Sequence, residues 1–365
     1  MVLTSPLHVL EDSGVPPGST DYTSVVILHG YAWHSGIFSK LIPYAHPHNA
    51  RLLLVNRRDY PGSVPYMEAD RALLRPLTPE VLANPDALRE AKEGVEAFMK
   101  ARARELYDFL EELVKTNDVR PVDRQSDKGG IIVAGWSLGS TWMTALLAHV
   151  ASFPVGDVKL GDYMRRVVLF DPPYHSLGYP PPEPPLYNPL FDEELPLEDR
   201  EGAFTKWVSG YYVHGDTLDT LERRAYLLSP PPTLSTLTSE DVQRTLCLPP
   251  GEPGGSDQVL LHTAIGVGLF GMQRDQALYL PAPGTPIEGD AWPDVEVRHV
   301  LGERSICEAI WGAMMLRKEV EAGYAQGLPI RRVRMVSIKG ANHFVQWDQP
   351  ELALRSLVGD EDTIE

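Results

Sequence analysis

The chain has 365 residues, 43% of them hydrophobic and 23% charged, ordinary values for a globular protein with chain enough to bury a large core. Its 33 Lys and Arg stand against 50 Asp and Glu, a formal charge of −17, and so acidic a surface argues against binding nucleic acid or anionic lipid. Cys247 and Cys307 are too few for a disulfide framework, the opening MVLTSPLHVLEDSG lacks the basic start and apolar stretch of a secretion signal, and no run approaches the ~20 apolar residues of a membrane span; a cytoplasmic location is expected.

Along the chain, six short β-branched apolar runs read as strands: 24–28 (SVVIL), 51–55 (RLLLV), 130–134 (GIIVA), 166–170 (RVVLF), 295–301 (VEVRHVL) and 332–338 (RVRMVSI). Between the second and third, apolar residues such as Ala91, Val95, Phe98, Ala103 and Leu106 recur at steps of three and four, so one long helix is expected over 85–115. Strands alternating with helices imply a mostly parallel sheet with crossover connections. The middle of the chain differs. Of 33 prolines in 365 residues, about 9% against an average near 5%, dense clusters fall at 172–189, 230–232, 249–253 and 281–286. Proline lacks the ladder donor and restricts its predecessor, so this stretch reads as short helices between stiff connectors. Within it Gly266-Val267-Gly268-Leu269-Phe270-Gly271 has the spacing of a dinucleotide loop, but no strand precedes it, and it reads as a small-residue helix. The last six residues, DEDTIE, read as a solvated acidic tail.

Directly after GIIVA stands Gly135-Trp136-Ser137-Leu138-Gly139, followed by the apolar helical stretch STWMTALLAHV. G-x-S-x-G between a strand and a helix forces the serine into a sharp turn that exposes its hydroxyl, and the flanking glycines remove Cβ atoms that would collide. Ser137 is therefore the expected nucleophile, with Leu138 N–H at the helix start aimed at developing negative charge. The first strand ends in His29-Gly30-Tyr31-Ala32-Trp33, where the glycine lets Tyr31 N–H turn inward as a second oxyanion donor and His29 braces the loop. The last strand runs into Lys339-Gly340-Ala341-Asn342-His343, and a histidine just past a strand end can lean over a serine on a neighbouring strand. His343 is the expected base; His175, after the fourth strand, is its nearest competitor.

HGYAW, NRRDYPGS, GWSLGS and KGANHF, in that order, resemble the α/β-hydrolase superfamily across about 22–171 and 294–355. The resemblance implies an α/β fold, a mostly parallel sheet flanked by helices, with residues 1–171 and 291–365 forming the core and the Pro-rich 172–290 inserted as a helical lid. Asp59, in the turn after the second strand, is expected to fasten that turn. At the triad acid the sequence departs from the common pattern: in Gly302-Glu303-Arg304-Ser305 a serine occupies the usual aspartate position. Asp171, rigidly followed by two prolines after RVVLF, is the expected acid, with Glu303 as the alternative.

These residue types point to a carboxylic ester hydrolase: His343 takes the Ser137 proton, Ser137 attacks an acyl carbonyl, and an acyl-enzyme forms and is hydrolysed. No metal motif or cofactor loop is present, so neither is expected. Trp33, His34, Trp136 and Tyr174 are candidates for lining an apolar pocket suited to a hydrophobic ester or lactone, although packing of the lid onto the core is an alternative use for each. An acyltransferase, a cofactor-free lyase or isomerase, and a small-molecule receptor on the same scaffold stay open.

Overall fold

The six runs expected as strands all form strands, each ending within two residues of its expected bounds: β2 Thr23–Leu28, β3 Ala50–Asn56, β4 Ile131–Trp136, β5 Met164–Phe170, β6 Glu296–Gly302 and β7 Val333–Ile338. A computed structural model describes residues 5–116, 119–282 and 284–365, so Met1–Thr4 of the opening segment and Pro283 of the fourth proline cluster lie outside the described residues. Two further strands complete an eight-stranded sheet of order β1-β3-β2-β4-β5-β6-β7-β8. β1, His8–Asp12, runs antiparallel to β3; every other pairing is parallel.

β8, Thr363–Ile364, corrects the reading of the C-terminus as a solvated tail. Thr363 and Ile364 pair with Ser337 and Ile338, and Ile364 is fully buried. Two residues give no periodicity to read, and the acidic neighbours that suggested solvent are used as partners: Asp362 accepts from Arg334 Nε at 2.6 Å and Glu365 from Lys339 Nζ at 2.8 Å. β1 was hidden for a similar reason, being a mostly half-buried edge strand with Glu and Asp in its second half.

Alternation along the strands divides the core in two. Val26, Leu28 and Val133 face the long helix Pro85–Thr116 and the helix Ser140–His149, whereas Val25, Ile27, Ile132 and Ala134 face the turns of Ser35–Tyr44 and the helix Pro350–Val358. Both faces of β2, β4 and β5 are buried, the reason these runs are continuously apolar rather than alternating.

Between β5 and β6 the chain makes short turns and the helices Leu197–Val208, Ser239–Thr245, Ser256–Gly266 and Leu269–Leu278. The small-residue run breaks at Gly268, whose φ of 71° ends one helix and starts the next. Gly178 lies against Gly271 so closely that a Cβ on it would sit 1.9 Å from Gly271 N. Leu269 and Phe270 join the same apolar cluster as Trp142, Met143 and Leu146 of Ser140–His149. Parallel strands deliver the ends of β2, β4, β5, β6 and β7 to one edge of the sheet, and every chemically suggestive segment of the sequence begins there.

Candidate active site

β4 runs straight into Ser137, whose φ of 53° places a non-glycine residue in the left-handed region, at a cost of about 1–2 kcal/mol. The glycines around it make the bend possible. A Cβ on Gly135 would lie 2.2 Å from Gly139 O, and one on Gly139 would lie 2.5 Å from His29 O, so strand, helix and neighbouring loop meet where no side chain fits. Ser140 Oγ donates to Gly135 O at 2.7 Å and closes the turn. Ser137 itself is half-buried.

Asp171 follows β5, also in the left-handed region at φ 50°, and is fully buried. Its backbone N–H donates to Val300 O at 2.7 Å. Its carboxylate accepts from Gly302 N–H at 2.9 Å on Oδ1, and from Ser305 Oγ at 2.5 Å and His343 Nδ1 at 2.5 Å on Oδ2. With Nδ1 of His343 turned to the carboxylate, Nε2 is left as the free ring nitrogen. The resemblance places an aspartate where Ser305 stands; that serine's hydroxyl instead reaches across to the carboxylate on β5. Glu303 is not brought to the histidine: its side chain is exposed, and its backbone N–H donates to Ile338 O at 3.1 Å.

His343 is 2% exposed and its loop is held from several sides. Asn342 Nδ2 donates to Ser209 O and to Thr233 Oγ1, each at 2.7 Å, and Phe344 N–H donates to Asn342 Oδ1 at 2.9 Å. Trp136, next to the serine, donates from Nε1 to His343 O at 3.0 Å, and its ring centroid lies 5.0 Å from that of His343. The histidine thus sits beside the residue that precedes Ser137. Trp136 is 1% exposed, so it braces this loop from the core rather than offering an open face to a ligand.

The loop after β2 carries the third strained residue, Ala32 at φ 61°. Fully buried His29 orders it: Nδ1 bonds Gly30 O at 3.0 Å and Nε2 accepts from Arg57 N–H at 3.1 Å, which fixes the neutral tautomer. Burial, then the Arg57 charge, holds His29 well below its ordinary pKa. Tyr31 N–H makes no hydrogen bond among the described residues, and Leu138 N–H lies in the first helical turn, where no intrahelical acceptor exists.

His34 is buried, and its Nδ1 accepts from Gly36 N–H to cap the turns of Ser35–Tyr44; burial pushes its pKa down to about 4. Trp33 is half-buried with its ring edge-on to Phe344 at 5.5 Å. Tyr174, three residues past Asp171, is half-buried beside His175, whose Nδ1 lies 4.0 Å from Glu308 Oε2 rather than at the serine. Asp59 accepts from Tyr66 N–H at 2.8 Å and pairs with Arg71 at 2.9 Å, which fastens the turn after β3. Sequence reasoning missed Arg57, Tyr60 and Asp257, which meet behind the β2 loop; a pair 200 residues apart leaves no local signal. Ser305 left one, as the odd residue in the acid's usual place.

Among the described residues no three His, Cys, Asp or Glu side chains cluster as a metal site, and no helix is long and apolar enough to cross a membrane. The profile of the alpha/beta hydrolase family matches residues 25–355. No curated protein matches the sequence. Among solved structures, a laboratory-evolved variant of potato epoxide hydrolase is similar at 11% identity and a TM-score of 0.50, covering 96% of this chain and 94% of its own. A bromoperoxidase from Bacillus anthracis has 14% identity and a TM-score of 0.41 over 96% and 94% of the two chains. An epoxide hydrolase from an endophytic Streptomyces has 14% identity and a TM-score of 0.45 over 93% and 88%.

Proposed function

Because the chain belongs to the alpha/beta hydrolase family, we propose that it is a serine hydrolase that cleaves a hydrophobic carboxylic ester or lactone through an acyl-enzyme. In this reading Ser137 is the nucleophile, His343 the base, Asp171 the acid that orients it, and the N–H groups of Tyr31 and Leu138 the oxyanion hole. The single observation that carries the reading is the 2.5 Å contact between His343 Nδ1 and a fully buried Asp171 carboxylate, one residue away from the end of the strand beside the serine's own. An imidazole so oriented leaves Nε2 as the free ring nitrogen, the atom from which a general base acts on the serine.

The chemistry follows from these roles. His343 Nε2 takes the Ser137 Oγ proton as the oxygen bonds to the acyl carbon, and the carbonyl oxygen moves into the two N–H donors as it becomes negative. The C–O bond to the leaving alcohol breaks, and the alcohol departs with the proton from His343. Water then gives a proton to His343 and its hydroxyl to the acyl carbon; the bond from that carbon to Ser137 Oγ breaks, the acid leaves, and His343 returns the proton to Oγ. The potato and Streptomyces neighbours are epoxide hydrolases by name. Opening an epoxide through an alkyl-ester intermediate needs a carboxylate nucleophile, and Ser137 at the elbow supports acyl chemistry instead.

We read residues 172–290 as the lid over this site, with Trp33 and Tyr174 at its apolar lining. Its last helix, Leu269–Leu278, packs on the helix behind Ser137 and anchors the lid to the core. The test is intact-mass spectrometry after treatment with a fluorophosphonate. One adduct per chain is expected, absent from Ser137→Ala and slowed at least a hundredfold in His343→Ala; an unlabelled parent protein would sink the proposal.

A further inference from the structure

The loop that supplies Tyr31 N–H is bonded on its outer side, group by group, to one stretch of the segment between β5 and β6. Cys247 N–H donates to Ala32 O at 2.7 Å, and His34 N–H donates to Thr245 O at 2.8 Å, framing an antiparallel bridge between Trp33 and Leu246. The Tyr31 hydroxyl donates to Gly251 O at 2.5 Å. The remaining groups are reached through Asp257. Arg57 donates from Nη1 and Nη2 to its two oxygens at 2.8 and 2.6 Å, and from Nη2 to Gly30 O at 2.9 Å. Tyr60 donates its hydroxyl proton to Asp257 Oδ2 at 2.6 Å while accepting from Ala32 N–H at 3.2 Å. Arg57 and Asp257 are 0% and 2% exposed in their side chains, and the Arg57 guanidinium lies 4.1 Å from the Trp142 ring on the helix behind the serine.

We infer that residues 245–257 form a strap that positions the oxyanion loop, with Asp257 as the positioning residue: through Arg57 it holds the Gly30 carbonyl and through Tyr60 the Ala32 N–H, which leaves Tyr31 N–H between them directed into the site. The inference rests on the proposed role of Tyr31 for its catalytic consequence. Its physical basis is independent of that role. Ala32 occupies the left-handed region, and a strained backbone persists only where its surroundings over-determine it; here the flanking carbonyl and N–H are both fixed by fully or nearly buried groups that Asp257 ties together. Alternative loop conformations would take the Gly30 carbonyl from Arg57 and the Ala32 N–H from the Tyr60 hydroxyl, and a buried polar group left without its partner is costly. The segment between β5 and β6 therefore contributes to the proposed catalytic geometry through 245–257.

Asp257→Asn and Tyr60→Phe, each in the full chain, test this with two readouts. Hydrogen exchange followed by mass spectrometry should show peptides spanning 29–34 exchanging at least tenfold faster, with those covering β4 unchanged. Hydrolysis of an aryl ester should lose at least tenfold in kcat with KM within about twofold, because a misaimed donor acts on the transition state. Tyr60→Phe removes only a hydroxyl and keeps the ion pair, so it reports even if Asp257→Asn folds poorly. Unchanged exchange at 29–34, or kcat within twofold of the parent in both variants, overturns the inference. Faster exchange in the two variants, with a parent chain that never reacts with the fluorophosphonate, would keep the strap and remove the hydrolase reading.

Discussion

The two ends of β5 and β6 use buried charge in opposite ways. At the end where the strands start, Arg165, Arg166 and Arg298 are all buried, and hydrogen bonds or ion pairs occupy their guanidinium groups. Arg298 donates to Glu296 Oε1 at 2.8 Å and to Gly359 O at 2.6 Å, Arg166 donates to Val358 O at 2.9 Å and pairs with Asp127 and Asp360, and Arg165 donates to Asp127 Oδ1 at 2.9 Å. Burial, with Arg166 nearby, pulls the Arg298 pKa down to about 10, and Glu296 keeps it charged at neutral pH. At the end where the strands finish, one carboxylate gathers three donors, and the groups around it keep capacity in reserve: the second nitrogen of His343, the Ser137 hydroxyl, the Tyr31 N–H. The arginine end fastens the C-terminal helix to the sheet; the carboxylate end leaves polar groups with bonds still to make, as the proposed chemistry requires.

The sharpest way to break this contrast is Asp171→Asn. It keeps the shape and the acceptor for Gly302 but removes the charge that holds the histidine tautomer, so kcat for an aryl ester should fall by about 10⁴ with the thermal midpoint changed by only a few degrees. A fall below tenfold would put the carboxylate end in the same structural class as the other. Arg298→Ala should do the reverse. It removes the nearest partner of Glu296, which keeps Arg166 and Arg332, and leaves Ser356 O without its donor, so urea unfolding should show a loss of about 1–3 kcal/mol, while kcat per folded molecule stays within about twofold. A drop in kcat at full folding would mean the two ends are coupled along the strands.

His299, fully buried midway along β6, sharpens the comparison further. Burial, opposed by the Asp171 charge, holds its pKa at about 4 against an ordinary value of 6.5. A depressed folded value means the neutral ring stabilises the fold above pH 6.5, and that stability is lost as the pH falls toward 4, in all about 3 kcal/mol. His299→Met should therefore flatten the stability profile between pH 6.5 and 4 in urea titrations. An unchanged acid limb would place the acid sensitivity elsewhere, among His34, His149 or His175, which burial also holds at about 4.

Much of this molecule was legible because its signals are local. Short runs rich in β-branched residues favour strands, and G-x-S-x-G between a strand and a helix favours a tight elbow, so β2 to β7 and the bend at Ser137 follow from residues a few positions apart. What was not legible has partners far away in sequence. Ile364 reads as part of an acidic tail until Ile338 lies beside it. His34 and Trp136 read as pocket residues until their ring nitrogens are seen bonded to Gly36 and His343. Arg57 carries no signal of its own in the sequence, because its partner Asp257 lies 200 residues away.

By itself the sequence determined a parallel sheet, a serine forced into a strained turn and a histidine at the end of the last long strand, because backbone sterics and hydrophobic period act within a few residues. Only the tertiary structure put Asp171 rather than Glu303 against His343, gave Ser305 a carboxylate to serve, and stitched 245–257 onto the loop at Tyr31. Those choices depend on which strand ends lie side by side, and adjacency between strands is a property of the assembled sheet that no single segment encodes.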